Sequence, residues 1–205
     1  RDVLGSRGLG DVYKRQRKRS VVVKCLRRFL MNKVIGSRVD LNDDNNKYAV
    51  EFRTYIEDLF DNDTVQKLDR FTQHFHTSRL QHSLNVSYYS YRIAKVIGCD
   101  CRAAARAGLL HDLFWYDWKS KKTPQMHAFL HPRLALKNAS KITELSSREE
   151  DAILKHMWPL YRGIPKYKES YAVTLADKYA ATLEIGYQWS NTAAKKIVSL
   201  VSSII

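Results

Sequence analysis

Residues 102–114 read RAAARAGLLHDLF, and the reading of that stretch decides the fold. The alanine-rich run is a strong helix former, so a helix is expected from about Arg102 to His111. It closes on Leu109-Leu110-His111-Asp112-Leu113-Phe114, where two ionisable groups stand side by side inside an apolar run. A buried charge without a partner is expensive, so Asp112 must be paired, hydrogen-bonded or bound to a cation. Asp177 poses the same problem inside Val173-Thr174-Leu175-Ala176-Asp177. Two buried carboxylates repel each other unless something positive lies between them, and a divalent metal meets both needs. Neutral imidazoles from His82 and His111 would complete a set of two nitrogens and two oxygens. That mixture suits Mn, Fe, Co, Ni or Zn better than Mg or Ca.

Outward from this stretch the apolar pattern stays helical. Tyr48, Phe52, Tyr55, Ile56, Leu59 and Phe60 recur at spacings of three and four from Lys47 onward. Leu80 to Ile97 repeats the pattern and ends at Gly98, a natural left-handed cap. Another helix is predicted to begin at Pro132 and run to Asn138, with His131 at its start and His127 four residues earlier. Ser146 or Ser147 followed by Glu149 and Glu150 resembles a capping box, opening a helix to about His156 or Met157. Pro159 and Gly163 mark a loop, in which His156 stands close to the preceding helix end. Ser170 to Tyr187 reads as a buried helix carrying Asp177. No strand pairs are joined by tight turns, so any sheet must be small, and His74 and His76 are assigned to a loop. The expectation is an all-α protein, a single globular bundle of six to nine helices.

Composition bounds the function. Apolar residues at 44% and charged residues at 27% are ordinary for a globular domain, and no apolar run approaches a membrane span. The cysteines, Cys25, Cys99 and Cys101, form neither a disulfide framework nor paired metal ligands, which points to a reducing, cytoplasmic setting. The net charge of +14 resembles a nucleic-acid signal until it is divided along the chain. Residues 1–38 hold 12 Lys/Arg against 2 Asp/Glu, which leaves 23 against 19 for residues 39–205. The basic character therefore belongs to the tail. Arg15 to Arg19 (RQRKR) could touch a phosphate backbone, but such blocks are usually solvated arms, so nucleic acid is not the expected partner. The opening LGSRGLGDVYKRQ resembles an adaptor-derived translation and is expected to be foreign; it lacks the apolar core of a secretory signal. KIVSLVSSII stops within an apparent amphipathic helix, as a fragment would.

The order H…HD…D, found as Gln81-His82-Ser83, Leu110-His111-Asp112 and Leu175-Ala176-Asp177, resembles the HD superfamily of metal-dependent phosphohydrolases. The flanking RLQHSLNVSYYSYRIAK and LADKYAA extend the likeness over roughly residues 70–185. The resemblance implies an HD-type helical domain over 47–205 behind a basic tail at 1–46. It implies hydrolysis of a phosphate ester or anhydride in a nucleotide-like substrate by metal-activated water, with His111 and Asp112 at the catalytic centre. Members with two metals carry two further histidines, matched in order by His131 and His156. Asp112 would then bridge one ion held with His82, His111 and Asp177 and another held with His131 and His156. His131 could instead simply bond to backbone at a helix start, and His156 sits close to a helix end where a cation is favoured anyway.

The chain departs from the pattern after HD, where Leu113-Phe114-Trp115-Tyr116-Asp117-Trp118 replaces the usual turn and its lysine. Lys119, Lys121 or Lys122 would have to substitute, and the aromatics at 115, 116 and 118 are either a base-stacking surface or core. Arg79, three residues before His82, and Lys178, beside Asp177, are candidate contacts to an anionic substrate, and Asp117 is a candidate acid or base. The competing readings are a nucleotide-sensing HD module without turnover and a nucleic-acid binder acting through the tail.

Overall fold

In the computed structural model the described residues are 33–74, 76–117, 124–160 and 163–202, with side chains described outside 124–128 and 191–202. Residues 1–32 of the basic tail, Trp118, the candidate lysines 119, 121 and 122, the His127 side chain and residues 203–205 lie outside them.

The described chain is organised by helix punctuation in its sequence. Asn46 caps α1 (Lys47–Phe60) by accepting from the Tyr48 and Ala49 amides, and Ala49, Phe52, Ile56, Leu59 and Phe60 form its buried stripe. Asn62 caps a short α2 (Asp63–Gln66), which passes through a 3-10 turn at Lys67–Arg70. Two short antiparallel strands follow, β1 (Thr72–His74) and β2 (Thr77–Ser78), with Thr72 opposite Ser78 and His74 opposite Thr77. A sheet this small agrees with the lack of hairpin signals, but His74 stands in a strand where a loop was expected. Ser78 then caps α3 (Arg79–Ile97), which ends at Gly98 with φ 66°, the left-handed cap that its sequence predicts.

Asp100 opens α4 (Cys101–Leu110) by accepting from the Ala103 amide, and His111 is its C-cap. The next helix differs from expectation. α5 runs from Pro124 to Ala139, so Pro124 occupies the first turn and Pro132 lies in the interior, with His131 in mid-helix. An interior proline removes one hydrogen bond and its ring crowds the carbonyl four residues back, yet the described helix continues past Pro132. Ser146 and Glu149 complete the capping box of α6 (Ser147–Lys155), whose C-cap is His156. The last helix, α7 (Lys168–Ser202), begins and ends beyond the expected Ser170–Tyr187. The architecture is mostly helical, with seven α-helices among the described residues, consistent with an HD-type helical domain.

α3 is the axis of the body, and its buried residues run from Arg79 to Ala94. Tyr88 and Tyr91 pack on Phe52 of α1, with ring centroids 5.4 and 5.7 Å away. α4 approaches α3 very closely, because it offers alanines and Gly108: a Cβ on Gly108 would stand 2.8 Å from the Ser87 Cα. Ser87 Oγ ties the two helices by donating to the Ala105 carbonyl at 2.7 Å. The compact unit that holds these helices starts at Lys33, and Val34 and Leu41 are buried in it. Among the described residues no helix is long and apolar enough to cross a membrane.

Candidate metal centre

Six residues singled out from sequence meet in the interior, delivered by α3 (His82), the C-terminus of α4 (His111 and Asp112), α5 (His131), the end of α6 (His156) and α7 (Asp177). All but Asp177 are buried; its carboxylate keeps 18% exposure, which makes its side the open one.

The six fall into two subsets that share Asp112. His82 Nε2 lies 3.1 Å from Asp177 Oδ1, and His111 Nε2 lies 3.7 Å from that oxygen and 3.6 Å from Asp112 Oδ2. On the other side, His131 Nε2 and His156 Nε2 face each other at 2.9 Å and stand 3.4 and 3.9 Å from Asp112 Oδ1. Two imidazole nitrogens about 2.0–2.1 Å from one ion at a right angle are about 3 Å apart, so the 2.9 Å pair has the spacing of neighbouring ligands. His82, His111 and Asp177, and likewise His111, Asp112 and His156, offer ligand atoms that all lie within 4.8 Å of one another.

The hydrogen bonding favours coordination over ordinary core polarity. His111 Nδ1–H donates to the Gly108 carbonyl and His156 Nδ1–H to the Ile153 carbonyl, each at 2.8 Å, so each ring directs Nε2 inward. His111 Nε2 and Asp112 Oδ1 are buried without a hydrogen-bond partner among the described residues. Groups of this kind rarely stay unsatisfied, and a cation between them would satisfy both.

The electrostatics are those of a crowded charge cluster. Burial opposes charge on His82, but Glu184 and the bonds to Asp177 and Glu184 outweigh it and hold its pKa up at about 10. Burial and the neighbouring His111 and His131 push His156 down to about 3, leaving a neutral ring whose Nε2 lone pair faces His131 Nε2. Burial would raise Asp112, yet the surrounding His111, His131 and His156 hold it well below the usual carboxylate range. Asp177 is likewise held low, because its contacts with His111 and His82 overcome its burial.

Arg79 was expected against substrate, and the structure sets it elsewhere. It is fully buried with its guanidinium 3.7 Å from the Phe114 ring centroid. Nε donates to Gln73 Oε1 (2.8 Å), Nη1 to the Phe114 carbonyl (2.7 Å) and Nη2 to the Tyr116 carbonyl (3.3 Å). Because Gln73 accepts from Arg79, its amide must turn its NH2 toward Asp112, to which it donates at 2.6 Å from Nε2 to Oδ2. Arg79 thus acts through Gln73 on the orientation of Asp112, and it pins the segment after the HD pair. Lys178 is exposed beside Asp177, its Nζ 3.5 Å from the His156 carbonyl and 3.4 Å from the Thr174 carbonyl. Burial lowers its pKa and Asp177 partly restores it. Of the aromatics, Phe114 is core, whereas Trp115 is 38% exposed and donates to the Thr64 carbonyl at 3.3 Å. Asp117 is exposed.

Three residues that the sequence reading passed over belong to the same network: Gln73, Asn85 and Glu184. Glu184 is fully buried and accepts from His82 Nδ1–H at 3.0 and 3.1 Å. It stands seven residues after Asp177, two turns along the same face of α7, and that spacing was its only signal. His74 also approaches, its ring centroid 5.1 Å from that of His82.

The HD domain family model matches residues 79–182, from the first residue of α3 to just past Asp177, and that span contains all six. No curated protein and no solved structure matches the chain. The family consists largely of phosphohydrolases. With half of its length under that match, this chain belongs to the HD domain family.

Proposed function

We propose that the protein hydrolyses a phosphate ester or anhydride bond of a small nucleotide-like substrate at this centre. HD domain proteins bind divalent metals, and in this reading His82, His111 and Asp177 hold one ion, His131 and His156 a second, with Asp112 shared. A divalent ion would lower the pKa of water toward neutrality and offset charge developing on phosphorus. The remaining tasks fall to the chain itself. Arg79 and Gln73 hold Asp112 in one orientation, and Glu184 does the same for His82. The HD pair lies in a buried run with Leu109, Leu110 and Leu113, and removal from bulk water strengthens each electrostatic contact there. Lys178 stands where a phosphate oxygen entering past Asp177 would meet it, and the exposed face of Trp115 offers a plane for a base.

The observation that carries this reading is the pair of buried atoms left without hydrogen bonds, His111 Nε2 and Asp112 Oδ1, among inward-facing ligand atoms. The purified full chain is expected to take up Mn, Fe, Co, Ni or Zn and to release product from a panel of mononucleotides, dinucleoside polyphosphates and cyclic dinucleotides. A chain that takes up none of these ions and leaves the whole panel intact refutes the proposal.

One feature favours a second reading, a nucleotide-sensing module without turnover. The segment after the HD pair is Leu113-Phe114-Trp115-Tyr116-Asp117, with no lysine for a phosphate. That reading predicts saturable nucleotide binding by the metal-loaded chain with no product by chromatography.

A further inference from the structure

The histidines are not supported alike. His111 and His156 rest their Nδ1–H groups on the main-chain carbonyls of Gly108 and Ile153, which fix the tautomer but carry no formal charge. His82 rests on Glu184, a carboxylate with no exposure at all. Glu184 is itself held. Asn85 Nδ2 donates to its Oε1 at 2.7 Å, and the Asn85 amide cannot turn over, because its Oδ1 accepts from the Ile35 amide (3.2 Å) and from Gln81 Nε2 (2.8 Å). The chain of bonds from Ile35 and Gln81 through Asn85 and Glu184 to His82 therefore has one allowed polarity, and it ends with His82 Nε2 directed at Asp177. Since Asp177 and Glu184 share one face of α7, a single helix grips the imidazole at both nitrogens.

We propose that Glu184 is a positioning residue for His82, on whose charge the His82–His111–Asp177 half depends for its hold on an ion and the His131–His156 half does not. The inference rests on the metal-holding reading above. A carboxylate behind a ligating imidazole fixes its ring orientation and makes its free nitrogen more basic, and removing such a partner weakens metal binding by about 10–100-fold. The buried negative charge also adds to the attraction for a cation in a region of low dielectric. The histidines known to rest on carbonyls lack both contributions.

The test is equilibrium titration of the chelator-stripped full chain with Zn2+ alone, read by calorimetry and by competition with a chromophoric chelator. Wild type is expected to bind two ions. His156→Ala should abolish the ion of the His131–His156 half and keep the other. Glu184→Gln keeps the size and an acceptor oxygen while removing the charge, and it should weaken the ion that His156→Ala keeps by about 10–100-fold and leave the other in place. Asn85→Ala should produce a smaller loss for that same ion; if Glu184→Gln lacks the helical circular dichroism of wild type, this variant decides in its stead. An ion kept by His156→Ala that these substitutions leave untouched, or both ions weakened alike, overturns the role of Glu184 while leaving metal binding intact. A wild-type chain that binds no ion overturns the metal-holding reading, and this inference with it.

Discussion

Arg106 and Asp112 stand six residues apart, both removed from water, and their surroundings are opposites. Arg106 on α4 donates through every nitrogen: Nε to Glu149 (3.1 Å), Nη1 to Asp58 (2.7 and 2.9 Å) and the Tyr55 carbonyl (3.2 Å), and Nη2 to Thr143 (3.0 Å). That network joins α1, α4 and α6 and leaves no nitrogen of the guanidinium without a partner. Asp112 has one oxygen on Gln73 and leaves the other, Oδ1, facing two imidazoles with no hydrogen bond. A buried charge with a partner at every polar atom serves the fold, whereas one with an atom left over, beside another in the same condition, is arranged for something else to bind.

The largest effect that tests this contrast is expected from Asp112→Asn. An amide keeps the size and can still meet Gln73, but it loses the charge shared between the two subsets. Hydrolysis should fall by at least about a thousandfold, or about 4 kcal/mol of transition-state stabilisation, while the helical circular dichroism is unchanged. If activity survives, the charge at 112 is structural and the contrast with Arg106 disappears. Arg106→Met should behave the other way. It strands Glu149, 3% exposed, without its cation, and breaking a buried pair of this kind costs about 3–5 kcal/mol in urea unfolding. The fraction still folded should bind metal as wild type does.

Stripping the metal tests both regions at once. Ions present at about 100 times their dissociation constant stabilise the native state by about 2.7 kcal/mol. For a chain of this size that is about 5–10 °C in Tm. The loss on adding chelator should persist in Arg106→Met and vanish in Asp112→Asn.

Much of this was legible in the sequence, because the signals were local. The Ser146 and Glu149 capping box, Gly98 and the apolar stripe of α1 each depend on residues within a turn or two, and HD is a contiguous pair. What was missed depends on distant parts of the chain. Pro132 looks like a helix start until Pro124 is found to be the first turn. His74 looks like loop until β2 pairs with its strand. Arg79 looks like a free cation near the site, and only the fold shows Gln73 and the carbonyls of Phe114 and Tyr116 around it. Glu184 resembles any helix-surface glutamate unless the two-turn spacing from Asp177 is noticed.

Gly108 belongs to both regions, so its substitution blurs the contrast by design. It lies two residues beyond Arg106 in the contact between α4 and α3, and its carbonyl also receives His111 Nδ1–H at 2.8 Å. A Cβ there would meet the Ser87 Cα at 2.8 Å, the Ser87 nitrogen at 3.0 Å and Ser90 Oγ at 2.9 Å; two of these are backbone atoms that cannot turn aside. The helices must separate, and overpacking of this kind costs about 1–3 kcal/mol. Separation also tilts the carbonyl that aims His111. Gly108→Ala should therefore lower Tm in the stripped protein and, unlike Arg106→Met, also weaken metal binding by its folded fraction. A Tm loss with metal affinity intact would mean that the carbonyl does not position His111, and that fold and site are separable even where they share an atom.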